Sequence, residues 1–314
     1  MVSRVLLNLS DVILMWREIG NLDSMKNRIF LCVFIAFCAL SCSVADYDKP
    51  EAYRAPQTLY ATLEQTSSPE TKVYVDEGLK LHWDANDLIN AFAGYNYGFR
   101  YRYLGESGST SGEFVNEESD TFVVGDDIDY TCAVYPYVDG LQLDYDKSVI
   151  FTLPSTQVYR ENSFGKGAST MISMGEKVAE GEIGDLTFKH VCGYLALKVY
   201  GDNISVSSIT IKGNNGEKIA GESKIAVALD ASPSVKSFTK PEYSITLKCD
   251  DPVTVGNTAE TATVFWLVIP PTNFEKGFTV TVKDNNRVSE KSTSRSIEIK
   301  RSCLTRMAPF KVEY

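Results

Sequence analysis

Histidine is almost missing: His82 and His190 are the two in 314 residues. Each stands in a strand-like segment beside bulky apolar neighbours, and no base oriented by a third group can be assembled around either, which argues against serine- or cysteine-type hydrolysis. Positive charge is also short. The chain has 31 Lys and Arg against 41 Asp and Glu, a net charge of −10, and an acidic surface disfavours nucleic acid and anionic membrane faces as partners. Cysteine never recurs as CxxC, and of Cys132, Cys192, Cys249 and Cys303 only Cys192 has a nearby histidine, His190, so the ligand spacing of a zinc site is lacking. Helical periodicity is nearly absent after the N-terminal region, apart from a possible turn at 84–90. The apolar run Ile29–Leu40 would rise about 18 Å as a helix, well short of a hydrocarbon core of roughly 30 Å.

That short run has a different meaning. Lys26 and Arg28 lead into it, and it ends at Ala39-Leu40-Ser41-Cys42. A basic start, a short apolar segment, small residues and then cysteine form a bacterial lipoprotein signal, with Cys42 as the lipidated residue. Cleavage before Asp46, after Ser43-Val44-Ala45, is the alternative. Residues 1–24 carry Val12, Ile13, Leu14, Met15 and Trp16 ahead of the basic region, a prefix foreign to exported chains, so Met25 reads as the true start. The segments expected are thus a doubtful extension (1–24), a signal with its cysteine (25–42), a leader (43–57) and two folded blocks, 58–181 and 182–314. About 270 residues after Cys42 suit two domains.

Alternation with period two dominates these blocks, and the fold class expected is all-β. Tyr95, Tyr97, Phe99, Tyr101 and Tyr103 place five rings on one strand face, with Asn96, Arg100 and Arg102 on the other. Similar patterns recur at Leu195-Leu197-Val199, Ile209-Ile211, Ile245-Leu247 and Phe278-Val280-Val282, while 149–153 and 264–269 are continuous apolar strands. Glycine and asparagine punctuate them at 105–112, 213–216 and 284–286. The boundary between blocks is placed in 175–184, and 231–240 reads as a long loop. Many short strands at this spacing predict β-sandwich domains. The four cysteines left after Cys42 read mainly as small buried hydrophobes, with three pairings open to them in an oxidising compartment.

Two acidic groups are candidate sites. Asp126, Asp127 and Asp129 precede a strand, and Asp84 and Asp87 share a turn; calcium or a glycosidase pair would use such groups. Neither has EF-hand spacing, and aspartates at turns bond nearby backbone N–H groups without any metal. No metal or cofactor is therefore expected. Exposed, the aromatic stripe of 95–103 could stack on sugars; buried, it would line the first sandwich.

Read together, Lys80-Leu81-His82-Trp83-Asp84-Ala85-Asn86-Asp87, Val134-Tyr135-Pro136-Tyr137, Leu153-Pro154-Ser155-Thr156-Gln157, the run from Leu186 to Leu195 and Ser208-Ile209-Thr210-Ile211-Lys212-Gly213-Asn214 leading to Ala220-Gly221 resemble, in order, the fimbrillin family. These are type V pilus subunits and related adhesion lipoproteins of the Bacteroides group. The resemblance implies two consecutive transthyretin-like β-sandwiches after a lipoprotein signal, a non-enzymatic structural or adhesive fimbrial subunit, and a lipid anchor in the outer membrane. It also implies assembly by donor-strand complementation: a protease clips the leader after a basic residue, and a neighbouring subunit fills the groove that the lost strand leaves. Arg54 is best placed for clipping, with Lys49 second, although Arg54 also reads as a solvated leader residue. The donor strand implied is the tail 308–314, where Phe310, Val312 and Tyr314 alternate with Lys311 and Glu313; the same pattern suits an ordinary last strand. Partners implied are other fimbrial subunits and a host or bacterial surface glycan or protein. A monomeric glycan-binding lipoprotein is the second reading and a hydrolase the third.

Overall fold

Strand alternation becomes a ring of hydrogen bonds in the first block. The computed structural model describes residues 58–64, 81–93, 98–118, 130–176, 185–227, 232–285 and 287–314, and none of these is helical. The turn at 84–90 holds no helix: Asn86, at φ 63°, reverses the chain just before a strand. Strands β1 (Thr58–Leu63), β2 (Leu88–Ala93), β3 (Phe99–Tyr103), β4 (Ser111–Asn116), β5 (Tyr130–Tyr135), β9 (Met171–Glu176) and β10 (Leu186–His190) pair in the order β1-β10-β9-β5-β2-β3-β4 and close back on β1 as a barrel. The seam between β1 and β10 is its one parallel pairing. Phe99, Tyr101 and Tyr103 point inward and are buried, while Arg100 and Arg102 point out to Glu117. Trp83 fills the centre, edge-on to Phe114, Tyr135 and Phe188 at ring separations of 5.0, 5.5 and 5.3 Å.

Against this first core lies a small sheet of β6 (Ser148–Leu153), β13 (Ala220–Ala226) and β14 (Ser234–Glu242), contributing Val149, Phe151, Leu153 and Ile225. Strand β14 occupies the stretch that the sequence predicts as a loop. It is an edge strand whose residues are half-buried or exposed, and two register shifts against β13 blur its alternation, so the hydrophobic pattern that marks a strand is missing.

The second core is a sandwich. One sheet runs β19 (Arg287–Ser292), β18 (Phe278–Asp284), β12 (Ser205–Gly213), β15 (Ser244–Thr254), β7 (Thr156–Arg160) and β8 (Ser163–Phe164). The other is built on β11 (Gly193–Tyr200), flanked by β16 (Thr263–Ile269) on one side and by β21 (Leu304–Arg306) and β22 (Phe310–Lys311) on the other. Strands β17 (Thr272–Phe274) and β20 (Ile297–Ile299) pair beside them. Strand β11 is buried on both faces: Tyr194 and Ala196 belong to the first core, Leu195, Leu197 and Val199 to the second. Pairing crosses residue 181 both ways, because β10 completes the barrel while β6 and β7 join β13 and β15.

Candidate functional site

The chain's last residues line one edge of β11. Strand β21 runs parallel to Tyr194–Ala196, Met307 N donates to Ala196 O at 3.0 Å, β22 pairs Phe310 with Val199, and Val312 N donates to Tyr200 O at 2.9 Å. Val312 is buried in the second core and Phe310 packs against it half-buried. Tyr314 is partly exposed, its ring 4.4 Å beneath the Arg287 guanidinium. A glycine is needed where the tail passes closest: a Cβ on Gly201 would sit 2.8 Å from Val312 O. The other two residues singled out in the sequence, Cys42 and Arg54, lie with Lys49 outside the described residues, as does the cluster Asp126, Asp127 and Asp129.

A polar chain ties the end of β1 to this region. Arg301 grips Glu64 with both nitrogens, at 2.6 and 2.9 Å, and also donates to His190 O at 3.1 Å. His190, buried, bonds Glu64 O through Nε2 at 2.8 Å and Tyr194 Oη through Nδ1 at 2.9 Å, and Tyr194 Oη meets Ser169 Oγ at 2.9 Å. Burial alone would raise the Glu64 carboxyl, but the hydrogen bond and charge of Arg301 outweigh it and hold that group below the usual carboxylate range. Burial, helped by Arg301, pushes His190 below the ordinary imidazole value. A neutral, hydrogen-bonded core histidine accounts for these contacts.

The third feature is a cleft of about 290 Å³ between the segment 81–87 and the segment 160–171. It brings Asp84 and Asp87 together, as a carboxylate pair would require. Each is already held by a cation: Arg160 Nη1 lies 3.0 Å from Asp84 Oδ2, and Lys166 Nζ 2.9 Å from Asp87 Oδ1. The turn reading also holds, since Asp84 N donates to Asp87 Oδ2 at 2.9 Å. Tyr135 Oη donates to Asp87 at 3.4 Å, and burial followed by the Asp87 charge pushes that phenol up. Two carboxylates locked in ion pairs suit binding better than proton transfer, for which one must be free and the other protonated. No group of His, Cys, Asp or Glu among the described residues could hold a metal ion.

Sequence reasoning found Asp84 and Asp87 but not their partners. Arg160 is 76 positions from Asp84, and Arg301 is 237 from Glu64, so nothing local marks either pair. Of the thiols, Cys132 and Cys192 are buried, as small hydrophobes would be, and Cys249 is free, half-exposed and raised to about 11 by burial.

No family model matches the chain, and no curated protein matches it. Solved structures do resemble it. A proposed cell adhesion protein of Bacteroides uniformis shares 14% identity over 84% of this chain and 94% of its own, at a TM-score of 0.47. Another from Bacteroides ovatus shares 12% over 78% and 89%, at 0.46, and a fimbrial protein of Bacteroides ovatus 12% over 82% and 50%, at 0.36. The structural neighbours are adhesion and fimbrial proteins. Likeness at this level is one of outline and fixes no residue's role.

Proposed function

We propose that this protein is a structural or adhesive fimbrial subunit, exported as a lipoprotein whose precursor is held at the outer membrane by lipid on Cys42, and joined to its neighbours by donor-strand complementation. Trimming after Arg54 releases the leader, and the tail Phe310-Val312-Tyr314 becomes the strand offered to the next subunit. Two transthyretin-like units drawn mainly from 58–181 and 182–314 are part of this reading, with β10 completing the first and β6 and β7 pairing with β13 and β15 across residue 181.

The observation that carries this reading is how the tail sits. It buries Val312 and part of Phe310, yet β22 is only two residues long and pairs in parallel with β11. Parallel pairing is slightly weaker per residue than antiparallel, so the tail covers an apolar edge without being locked there. Released, it leaves both an open backbone edge and an unfilled side-chain site, the two features that strand addition uses.

The test uses the chain 43–314 before and after trimming at Arg54. Light scattering coupled to size exclusion should show polymers only after trimming, and deleting 308–314 or replacing Arg54 by Ala should leave monomer. Polymers formed equally by the tail-deleted chain would refute the tail's role.

A further inference from the structure

The cleft between 81–87 and 160–171 shares no lining residue with the tail or the edge of β11 that the tail covers. Its volume of about 290 Å³ lies at the small end of ligand pockets, enough for one sugar ring and little more. Polar groups there come in adjacent donor and acceptor pairs: Arg160 with Asp84 at 3.0 Å and Lys166 with Asp87 at 2.9 Å. Neighbouring ring hydroxyls each donate and accept, so such a pair satisfies a vicinal diol without carrying net charge into the site. The carboxylate of Asp87 is nearly buried, whereas Arg160 and Lys166 are about half exposed, so the acceptors are fixed and the donors can turn toward a ligand.

Apolar surface accompanies these groups. Phe164 stacks on Tyr194 at 5.2 Å and remains half-buried where it lines the cleft, a ring edge or face open to the C–H side of a pyranose. Trp83 also lines the cleft, and its indole N–H, although buried, finds no acceptor among the described residues. A buried donor without a partner carries an uncompensated desolvation cost, and a ligand oxygen reaching it would remove that cost.

The geometry points to this cleft as a binding site for a single pyranose ring, held by the Asp84–Arg160 and Asp87–Lys166 pairs. The inference goes beyond assembly and stands apart from it, because the tail edge and the cleft use different residues.

The probes are the methyl glycosides of glucose, galactose, mannose and N-acetylglucosamine, offered free and as the non-reducing ends of immobilised oligosaccharides. Saturation-transfer NMR on the chain 43–314 reports binding of the free sugars, and surface plasmon resonance that of the immobilised ones. A Trp266→Phe background leaves Trp83 as the indole reporter of that chain. At least one sugar should bind and shift the Trp83 emission. R160Q and K166Q, at exposed positions that should leave the melting temperature within a few degrees, should each weaken binding at least tenfold. Binding of the glycosides would mark a free-sugar site, and binding of the oligosaccharide ends alone a surface-glycan receptor; either supports the assignment. Deleting 308–314 should leave sugar binding unchanged, so a failed assembly test does not touch it. No response to any of the probes at 10-fold excess over millimolar protein, or equal binding by R160Q and K166Q, overturns the site.

Discussion

The carboxamide of Gln157 pairs with the backbone of Val268 in both directions: Nε2 donates to Val268 O at 2.7 Å, and Val268 N donates to Oε1 at 2.9 Å. Gln157 thereby acts as a one-residue strand laid on the outer edge of β16. Asn90 does the same for Val138, with bonds of 2.9 and 2.8 Å. A protein proposed to exchange strands at one edge has reason to seal others.

Replacing Gln157 by Leu therefore leaves a buried N–H and C=O unpaired. Each such group costs about 1–3 kcal/mol, so the variant should lose roughly 2–6 kcal/mol in urea unfolding and tend to self-associate through β16. A midpoint unchanged within error would show that water replaces the carboxamide.

Acid should loosen the link between β1 and the second block in two steps. His190 is held below its usual 6.5, so the unfolded chain binds the proton first and stability falls as pH drops through 6.5 toward the folded value. Glu64 is held below 4.5, so its contribution is present above 4.5 and disappears as pH falls through its lower folded value. Melting temperatures recorded from about pH 8 to about pH 2 should decline below about 6.5 and again below about 4.5, and H190Q should flatten the upper part of that decline.

Arg301→Met removes the partner from a carboxylate that is only about a quarter exposed. Hydrogen bonds to charged groups contribute about 1.5–3 kcal/mol, less at partly solvated sites. We expect a loss of about 1–3 kcal/mol and a Glu64 pKa that rises by NMR titration; an unmoved pKa would count against the pairing.

Trp83→Ala opens the middle of the barrel, where four rings, of Tyr103, Phe114, Tyr135 and Phe188, lean on the indole. Large aromatic truncations in cores cost about 3–5 kcal/mol. Calorimetry should show a drop of that size, with the second core, which lacks Trp83, less affected.

Much of the architecture was legible in local pattern. The last three rings of the stripe Tyr95-Tyr97-Phe99-Tyr101-Tyr103 announced β3 and its inward face, Tyr95 and Tyr97 lying outside the described residues, and Asp284-Asn285-Asn286 announced the hairpin that pairs Asp284 with Arg287. What escaped was non-local or polar. Closure of the barrel depends on β1 meeting β10 across more than a hundred residues, and alternation looks the same in a barrel wall and a sandwich sheet. Strand β14 carries Lys236, Thr239, Lys240 and Pro241 on an open edge, a composition that keeps edges soluble and hides them from hydrophobic pattern. The cleft followed the same rule: its aspartates sit in one turn, while its cations arrive from a hairpin that only the fold brings near.

On the proposed assembly route the tail leaves β11 to join another subunit. Tyr200→Cys with Lys311→Cys, partners across the β11–β22 pairing, should lock the tail in place when oxidised. In a chain trimmed after Arg54, light scattering should then report monomer under oxidising conditions and polymer after reduction. Polymer of equal size in both states would rule out release of the tail as the step that joins subunits.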